Sequence, residues 1–240
     1  LKTSNYNSRT ETRNRQVKQI SNQFTRRNMK VLNLYACLGG NRLKWTDCEV
    51  TAVELDPELA RLYKERFPND TVIVADAHQY LLDHYKEFDF IWSSPPCPTH
   101  SRSRYWGFGL NGKNPVYPSL TLYEEIIFLQ YHCKKKYVVE NVIPYYEPLI
   151  PAKKRGRHLY WTNFRLPNVL SNRKDNGLIQ ESKLGLLGKY HNYDFTKYKG
   201  KQRTLKIARN LVDYEAGKTI FDTARGIIVN KQNTNQSKLF

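Results

Sequence analysis

The strongest constraint on the fold is a series of short apolar runs that alternate with helical segments and end in polar motifs. Short apolar strands separated by helices are typical of a parallel sheet covered on both faces. In such sheets, ligands bind beyond the carboxyl ends of the strands. The sequence therefore predicts an α/β fold with a mostly parallel sheet and a site at that edge. The predicted strands are 31–36, 50–55, 71–75, 88–93 and 137–139, and the predicted helices are 57–67, 120–133 and 205–220.

The net positive charge of the chain indicates what kind of partner it binds. Lys and Arg number 39 against 22 Asp and Glu, a net charge of +17 that indicates a polyanion, most often nucleic acid, unless the surface is merely basic and solvated. No apolar run is long enough to span a membrane, and the basic N-terminus lacks the apolar stretch of a secretory signal. The four cysteines lie far apart, which argues against a structural zinc site and a dense disulfide framework and favours a reducing cytoplasm. The six histidines show no metal-binding spacing either.

The first polar motif follows the first predicted strand. After Tyr35 and Cys37, Gly39-Gly40 forms a glycine turn, which lets backbone approach a ligand closely, although such turns are also common without one. Glu54 ends the second strand and is suited to grip a ribose diol. Asp76 follows the third strand and could accept a hydrogen bond from an adenine amino group. With no phosphate-binding glycine loop in the sequence, ribose and adenine indicate S-adenosylmethionine.

Two further motifs carry reactive side chains at strand ends. Pro95 and Pro96 fix the backbone and present Cys97, which is otherwise interpreted as a small buried apolar residue. Glu140, before Asn141, could stay protonated beside the crevice and read the edge of a base.

A basic run lies downstream of these motifs. It spans 153–158, contains Arg155 and Arg157, and could line a nucleic-acid cleft or form a solvated face.

Together, in this order, the motifs resemble the cytosine-5 DNA methyltransferase family, above all its small phage and prophage members. The resemblance runs from about Met29 to Ile227, and its strongest matches are 95–97 and 140–142. The pair of arginines is similar to the family's arginine motif. Residues 209–221 are similar to its final motif, which completes the cofactor pocket. This likeness implies that Asn210 is a cofactor-binding residue.

The resemblance implies a Rossmann-like methyltransferase fold with a small basic recognition lobe, S-adenosylmethionine as cofactor, double-stranded DNA as partner, no metal, and a monomer in a bacterial or phage-infected cytoplasm. It implies that the Cys97 thiolate adds to carbon 6 of a flipped-out cytosine while protonated Glu140 stabilises ring nitrogen 3. Trp45 would flank the cofactor or lie in the core. The implied catalytic residues are Cys97, Glu140, Arg155 and Arg157, and the implied cofactor-binding residues are Tyr35, Cys37, Gly39, Gly40, Glu54, Asp76, Pro95 and Asn210.

The chain is expected to divide into a core and less regular flanks. Residues 1–28 hold seven Lys or Arg and one acid, which predicts a disordered basic tail. One hypothesis is that the native product starts at Met29, downstream of that tail. The remaining predicted parts are a catalytic and cofactor-binding core at 29–162, a target-recognition lobe at 163–206, a C-terminal helix returning to the core at 207–228, and a flexible tail at 229–240.

Three alternatives stay open at this point. Ser94-Pro95-Pro96 also resembles the start of the catalytic motif of methyltransferases acting on exocyclic amines, although an aromatic residue normally follows there and Cys97 follows here. RNA cytosine-5 methyltransferases share the Pro-Pro-Cys and Glu-Asn-Val patterns. The third alternative is a non-catalytic nucleic-acid-binding relative, because both the first and the last motif depart from the family's pattern. Asn33 and Tyr35 replace the usual Asp and Phe in the first, and Arg209 replaces the usual Gly in the last.

Overall fold

The computed structural model describes residues 28–106, 114–173 and 183–227. The tails predicted at 1–28 and 229–240 therefore lie outside the described residues, apart from Asn28. The strands are β1 (Met29–Leu34), β2 (Cys48–Glu54), β3 (Thr71–Val74), β4 (Phe90–Ser93), β5 (Lys136–Val142), β6 (Lys153–Arg155) and β7 (His158–Thr162). The helices are α1 (Pro57–Arg66), α2 (Ala77–His84), α3 (Arg102–Trp106), α4 (Thr121–His132), α5 (Leu184–His191), α6 (Thr204–Asn210) and α7 (Tyr214–Ala224), with 3₁₀ turns at Tyr85–Glu87 and Phe195–Lys197.

The strands form one sheet in the order β3-β2-β1-β4-β5-β7-β6. Strands β1 to β5 are parallel, while β7 runs antiparallel to β5 and β6 runs antiparallel to β7. The chain direction across the sheet reverses between β1 and β4, which is where open α/β sheets bind ligands. This topology confirms the predicted Rossmann-like methyltransferase fold with a mostly parallel sheet.

Apolar side chains pack on both faces of the sheet, as its nearly continuous buried strands require. Helices α2 and α4 cover one face, where Leu81 and Ile126 pack against Ile91. Helices α1 and α7 cover the other face, where Phe221 of α7 packs against Trp45. The Trp45 indole is buried and donates to the backbone oxygen of Gly217 at 3.0 Å, so this tryptophan belongs to the core.

Local capping explains where the first and last helices begin. Asp56 accepts hydrogen bonds from the N–H groups of Glu58 and Leu59, and Pro57 occupies the first turn of α1, as predicted. Asp213 caps α7 in the same way by accepting from the N–H of Glu215. This second cap corrects the single helix predicted over 205–220, because the chain leaves α6 at Asn210 and restarts as α7.

Two further differences concern the strands near the site. Strand β5 continues past the predicted end at Val139 and includes Glu140 and Asn141, because its pairing with β7 extends to Val142. The β6–β7 hairpin, which turns at Gly156 (φ +58°), was not predicted. Its first strand is formed by the charged run Lys153–Arg155, and that run lacks the apolar alternation by which a strand is recognised.

The described part of the predicted recognition segment contacts the core directly. Leu187, Phe195 and Tyr198 share a buried cluster with Leu38 and with helix α1. Asp56, at the carboxyl end of β2, accepts hydrogen bonds from Tyr198 at 2.7 Å and from Gln202 at 3.0 Å. The segment therefore lies along the carboxyl edge of β1 and β2. Among the described residues, no helix combines the length and apolar character needed to cross a membrane.

Candidate functional site

The loop after β1 turns sharply over the carboxyl edge of the sheet. Tyr35 (φ +55°) and Cys37 (φ +48°) both adopt left-handed backbone conformations, which are costly for residues other than glycine and concentrate at functional sites. The Cys37 N–H donates to Oε2 of Glu54 at 2.8 Å, and the other oxygen of Glu54 accepts from the Asp56 N–H at 2.9 Å. The carboxylate of Glu54 thus joins the ends of β1 and β2.

The two glycines of this loop are required by packing within the protein. A Cβ on Gly39 (φ +65°) would lie 2.4 Å from the Phe67 ring, and a Cβ on Gly40 would lie 2.4 Å from the backbone oxygen of Val212. Packing within the protein therefore already requires glycine at both positions, and the close approach of this backbone to a ligand stays a prediction. Gly39 lets the loop pack on α1, and Gly40 lets it pack on the connection between α6 and α7.

A buried carboxylate lies beneath the same loop. Glu125 of α4 has no exposed surface, and its oxygens accept from the Tyr35 hydroxyl at 2.5 Å and the Ser93 hydroxyl at 2.5 Å. His78 lies 3.2 Å from one of these oxygens, and that hydrogen bond raises the pKa of His78. Burial, and then Glu125, raise the pKa of Tyr35, so its phenol stays a hydrogen-bond donor. Glu125 therefore fixes Tyr35 in its left-handed conformation and ties β1 to β4.

Residues that follow the carboxyl ends of β2 and β3 are exposed to solvent. Asp76 is exposed and caps α2 by accepting from the Gln79 N–H at 2.9 Å. Leu55, directly after Glu54, is 67% exposed, which is unusual for leucine. Sequence reasoning missed Leu55, although an apolar residue between two acids at a strand end was the available clue.

Cys97 lies in the loop that leaves β4. Pro95 is buried, and its backbone oxygen accepts from the side-chain amide of buried Asn141 at 2.9 Å. The backbone oxygen of Cys97 accepts from the N–H groups of His100 and Ser101 at 3.0 and 3.1 Å. These bonds anchor the loop to β5 on one side and close it into a turn on the other, so the half-buried thiol has a defined position.

Glu140 lies beside this loop and is 6% exposed. Its Oε2 accepts from the Ser94 hydroxyl at 2.9 Å, and its Oε1 lies 3.3 Å from Nε2 of His158. Ser94 in turn accepts from the Trp92 indole N–H at 2.8 Å. The carboxyl group is close enough to Cys97 for its charge to act on the thiol, so the structure brings the two strongest sequence candidates together.

The two predicted arginines differ in position. The Arg155 guanidinium donates to the backbone oxygens of Pro167 at 2.7 Å and Lys154 at 2.8 Å and to the Asn168 side chain at 3.3 Å. It therefore holds the segment after β7. The charge of Arg157, by contrast, acts on the Cys97 thiol.

Asn210 is exposed at the last residue of α6, next to the segment that packs on Gly40. The described residues contain no group of three or more His, Cys, Asp or Glu side chains that could hold a metal ion.

The comparison with protein families gives a match over just under half of the chain. The model of the C-5 cytosine-specific DNA methylases matches residues 29–142, which include Cys97, Glu140 and the loop after β1. Over these residues the chain is similar to the C-5 cytosine-specific DNA methylase family. The match indicates a methyltransferase related to the enzymes that methylate cytosine. Arg155, Arg157 and Asn210 lie beyond the matched residues.

Solved structures show more distant likenesses. A hypothetical protein of Thermus thermophilus is 19% identical, with 63% of this chain and 84% of that chain covered and a TM-score of 0.38. A mutant of Spodoptera frugiperda DNMT2 is 21% identical, with 61% and 53% covered and a TM-score of 0.40, so the chain spans about half of its length. A SAM-dependent methyltransferase from Agrobacterium tumefaciens is 20% identical, with 50% and 40% covered and a TM-score of 0.35. At these TM-scores none of the three adds to the assignment, and no curated protein matches the chain.

Lys206 of α6 completes the charge distribution at Cys97 and was missed by the sequence analysis. Burial raises the pKa of the Cys97 thiol and the charge of Glu140 raises it further, whereas Lys206 and Arg157 lower it. Lys206 is exposed on a helix whose buried residues Ile207 and Ala208 pack near Leu38. Because Lys206 lies more than one hundred residues after Cys97, only the folded chain reveals this effect of its charge on the thiol.

The raised pKa of Cys97 predicts the pH dependence of its alkylation. Only the thiolate reacts, so the rate of iodoacetamide modification at Cys97 should still be rising with pH above about 8.5, where an ordinary cysteine levels off. Peptide mass spectrometry would measure the rate at each cysteine, with a short cysteine peptide as the reference. A plateau at or below the reference pH would contradict the net effect of burial and Glu140.

Proposed function

We propose that the chain methylates carbon 5 of a flipped-out cytosine in double-stranded DNA, using S-adenosylmethionine and a transient covalent bond to Cys97. The observation that carries this proposal is the placement of the loop of Cys97 beside the buried Glu140 carboxyl, through the hydrogen bonds from Ser94 to Glu140 and from Asn141 to Pro95. The charges of Lys206 and Arg157 lower the pKa of the Cys97 thiol. The family match supports the C-5 product over the exocyclic-amine alternative.

The residues at the open edge fit the proposed cofactor. The Glu54 carboxylate accepts hydrogen bonds from backbone N–H groups at both oxygens, and with about four lone-pair sites in total it can still accept one from a ribose hydroxyl. The exposed Leu55 side chain offers an apolar surface for adenine, and Asp76 lies beyond the neighbouring strand. The loop of Tyr35 and Cys37 borders the same edge. When bound, S-adenosylmethionine would supply a methyl group on a sulfonium.

The reaction would proceed by covalent catalysis, since carbon 5 of cytosine is a poor nucleophile. The Cys97 thiolate forms a bond to carbon 6, and the electron pair displaced from the ring is stabilised at nitrogen 3 by a proton from Glu140. Carbon 5, now enamine-like, takes the methyl group. Loss of the carbon 5 proton to solvent restores the ring double bond and expels the Cys97 thiolate.

The basic surface next to the site supports DNA as the substrate. Exposed Lys199, Lys201, Arg203 and Lys206 follow one another along the segment that leads into α6, and no ion pair to any of them is found within the described ranges. Lysine and arginine side chains that contact phosphates release counterions, which favours binding and offsets the energetic cost of flipping a base out of the duplex. We propose that this segment, in the predicted recognition lobe, contacts the DNA backbone.

Bisulfite sequencing of DNA from cells expressing the chain tests the function, base and sequence context together. We expect cytosines protected in a defined context, and none with the Cys97→Ala variant. Protected cytosines found in RNA from the same cells, with none in their DNA, would favour the RNA alternative. Methylated amino groups in digested DNA, without 5-methylcytosine, would contradict the proposal.

A further inference from the structure

His158 is placed to act on Glu140 from the neighbouring strand. In the antiparallel pairing of β5 with β7, Glu140 lies opposite Tyr160 and Val142 lies opposite His158. Alternate residues of a strand face the same side of the sheet, so Glu140 and His158 are diagonal neighbours on one face. Their side chains meet with Nε2 of His158 at 3.3 Å from Oε1 of Glu140.

The two oxygens of Glu140 have different neighbours. At Oε2, the half-buried Ser94 hydroxyl donates to the carboxyl group and itself accepts from the indole of Trp92, and a serine hydroxyl does not titrate in the physiological pH range. At Oε1, the His158 side chain is 20% exposed, compared with 7% for the Glu140 side chain. Imidazole, by contrast with the hydroxyl, titrates in the physiological pH range.

We propose that His158 holds the proton that Glu140 delivers to ring nitrogen 3 of the cytosine, an inference that rests on the proposed function. Before attack, the pair carries one proton, shared between the imidazole and the carboxyl group. As the Cys97 sulfur bonds to carbon 6, that proton passes from Nε2 of His158 to the Glu140 carboxylate and from the carboxyl to nitrogen 3, and His158 becomes neutral. When Cys97 is expelled, the proton returns along the same path, so the pair is unchanged after each turnover.

The other titratable and charged groups near this site come from the loop after β4, strand β7, the β6–β7 turn and helix α6. Cys97 faces Glu140 from the loop after β4, Tyr160 faces it from β7, and the charges of Arg157 and Lys206 act on the same thiol. Burial keeps the pKa of Tyr160 well above its ordinary value, so its phenol stays neutral. Cys97 must lose a proton, which produces the rising limb of a pH–rate profile. The His158–Glu140 pair must keep one, which produces the falling limb.

The decisive variant is His158→Gln. A glutamine amide nitrogen reaches about as far as Nε2 and can still donate to Glu140, but it does not titrate. We expect the falling limb of single-turnover methylation to move to lower pH by at least about one unit, with a rate loss of at least about tenfold near pH 8. Tritiated S-adenosylmethionine and genomic DNA free of 5-methylcytosine would be the reagents. Cofactor affinity measured by calorimetry and the melting temperature should not change.

Two further variants make the test specific. In the Glu140→Gln background, adding His158→Gln should cost no more than about twofold, because residues that act through one another are not additive. The matched control is His84→Gln, which removes a comparable His–Glu pair between Nδ1 of His84 and Glu87 (2.8 Å) on the surface of α2. It should leave the profile unchanged.

Different outcomes would overturn the role of His158 and the proposed methyltransferase function. A wild-type chain that methylates no DNA would overturn both. If the wild-type chain methylates DNA and His158→Gln keeps its profile, or loses rate equally at every pH, the proton-holding role of His158 is wrong and the proposed function stands. A further tenfold loss in the Glu140→Gln background would also overturn it, because His158 would then act independently of Glu140.

Discussion

Replacing Cys97 by alanine is expected to lower methyl transfer by at least about a thousandfold, because losing the nucleophile removes the covalent route entirely. The thiol is half-buried in a loop anchored by Asn141, so its removal should leave the loop and the fold intact. Binding of S-adenosylmethionine should also persist, because Glu54 and Leu55 lie at the ends of other strands. Methylation by single turnover and cofactor affinity by calorimetry would measure the two effects separately.

The matched control is Cys48→Ala, which removes a half-buried thiol on β2 that takes no part in the proposed site. It should retain near wild-type activity. DNA containing 5-fluorocytosine gives a second measurement, since fluorine cannot leave as a proton does and the adduct is trapped. The wild-type chain and Cys48→Ala should both form a denaturation-resistant complex, and Cys97→Ala should form none. A trapped complex with Cys97→Ala would assign the nucleophile to another residue.

Local patterns were sufficient to predict the parallel part of the sheet. Each of its strands is a short apolar run, and the motifs at Gly39, Glu54 and Cys97 mark where those runs stop. Because the carboxyl ends of parallel strands meet at one edge, spacing along the chain translates directly into proximity in space. The neighbourhood of Cys97 and Glu140 follows from this rule together with the pairing of β4 with β5.

Contacts between distant segments were not accessible in the same way. The β6–β7 hairpin was missed because a charged edge strand shows no apolar alternation, and without it the pairing of His158 with Glu140 cannot be foreseen. Arg155 was assigned to the site by resemblance, yet its donors are occupied by the segment around Pro167. The charge of Lys206 acts on Cys97 because α6 packs near Leu38 in the loop after β1. Each of these three interactions depends on packing between segments that lie far apart in the sequence, so a short stretch of sequence cannot predict it.

Replacing Glu140 by glutamine is expected to lower the rate of methylation about 100- to 1000-fold, the range found when one group that stabilises developing charge is removed. Glutamine has the same shape and can still accept from Ser94, so the free energy of unfolding should change little. It can donate a hydrogen bond to nitrogen 3 but cannot transfer a proton, so charge in the ring would be stabilised less. Formation of the Cys97 adduct should slow by the same factor as methylation, since both depend on the attack at carbon 6. Glu147→Gln on the exposed segment after β5 is the control and should behave as wild type. Wild-type rates for Glu140→Gln, with the adduct forming normally, would remove Glu140 from the chemistry and leave its buried carboxyl a purely structural link between Ser94 and β7.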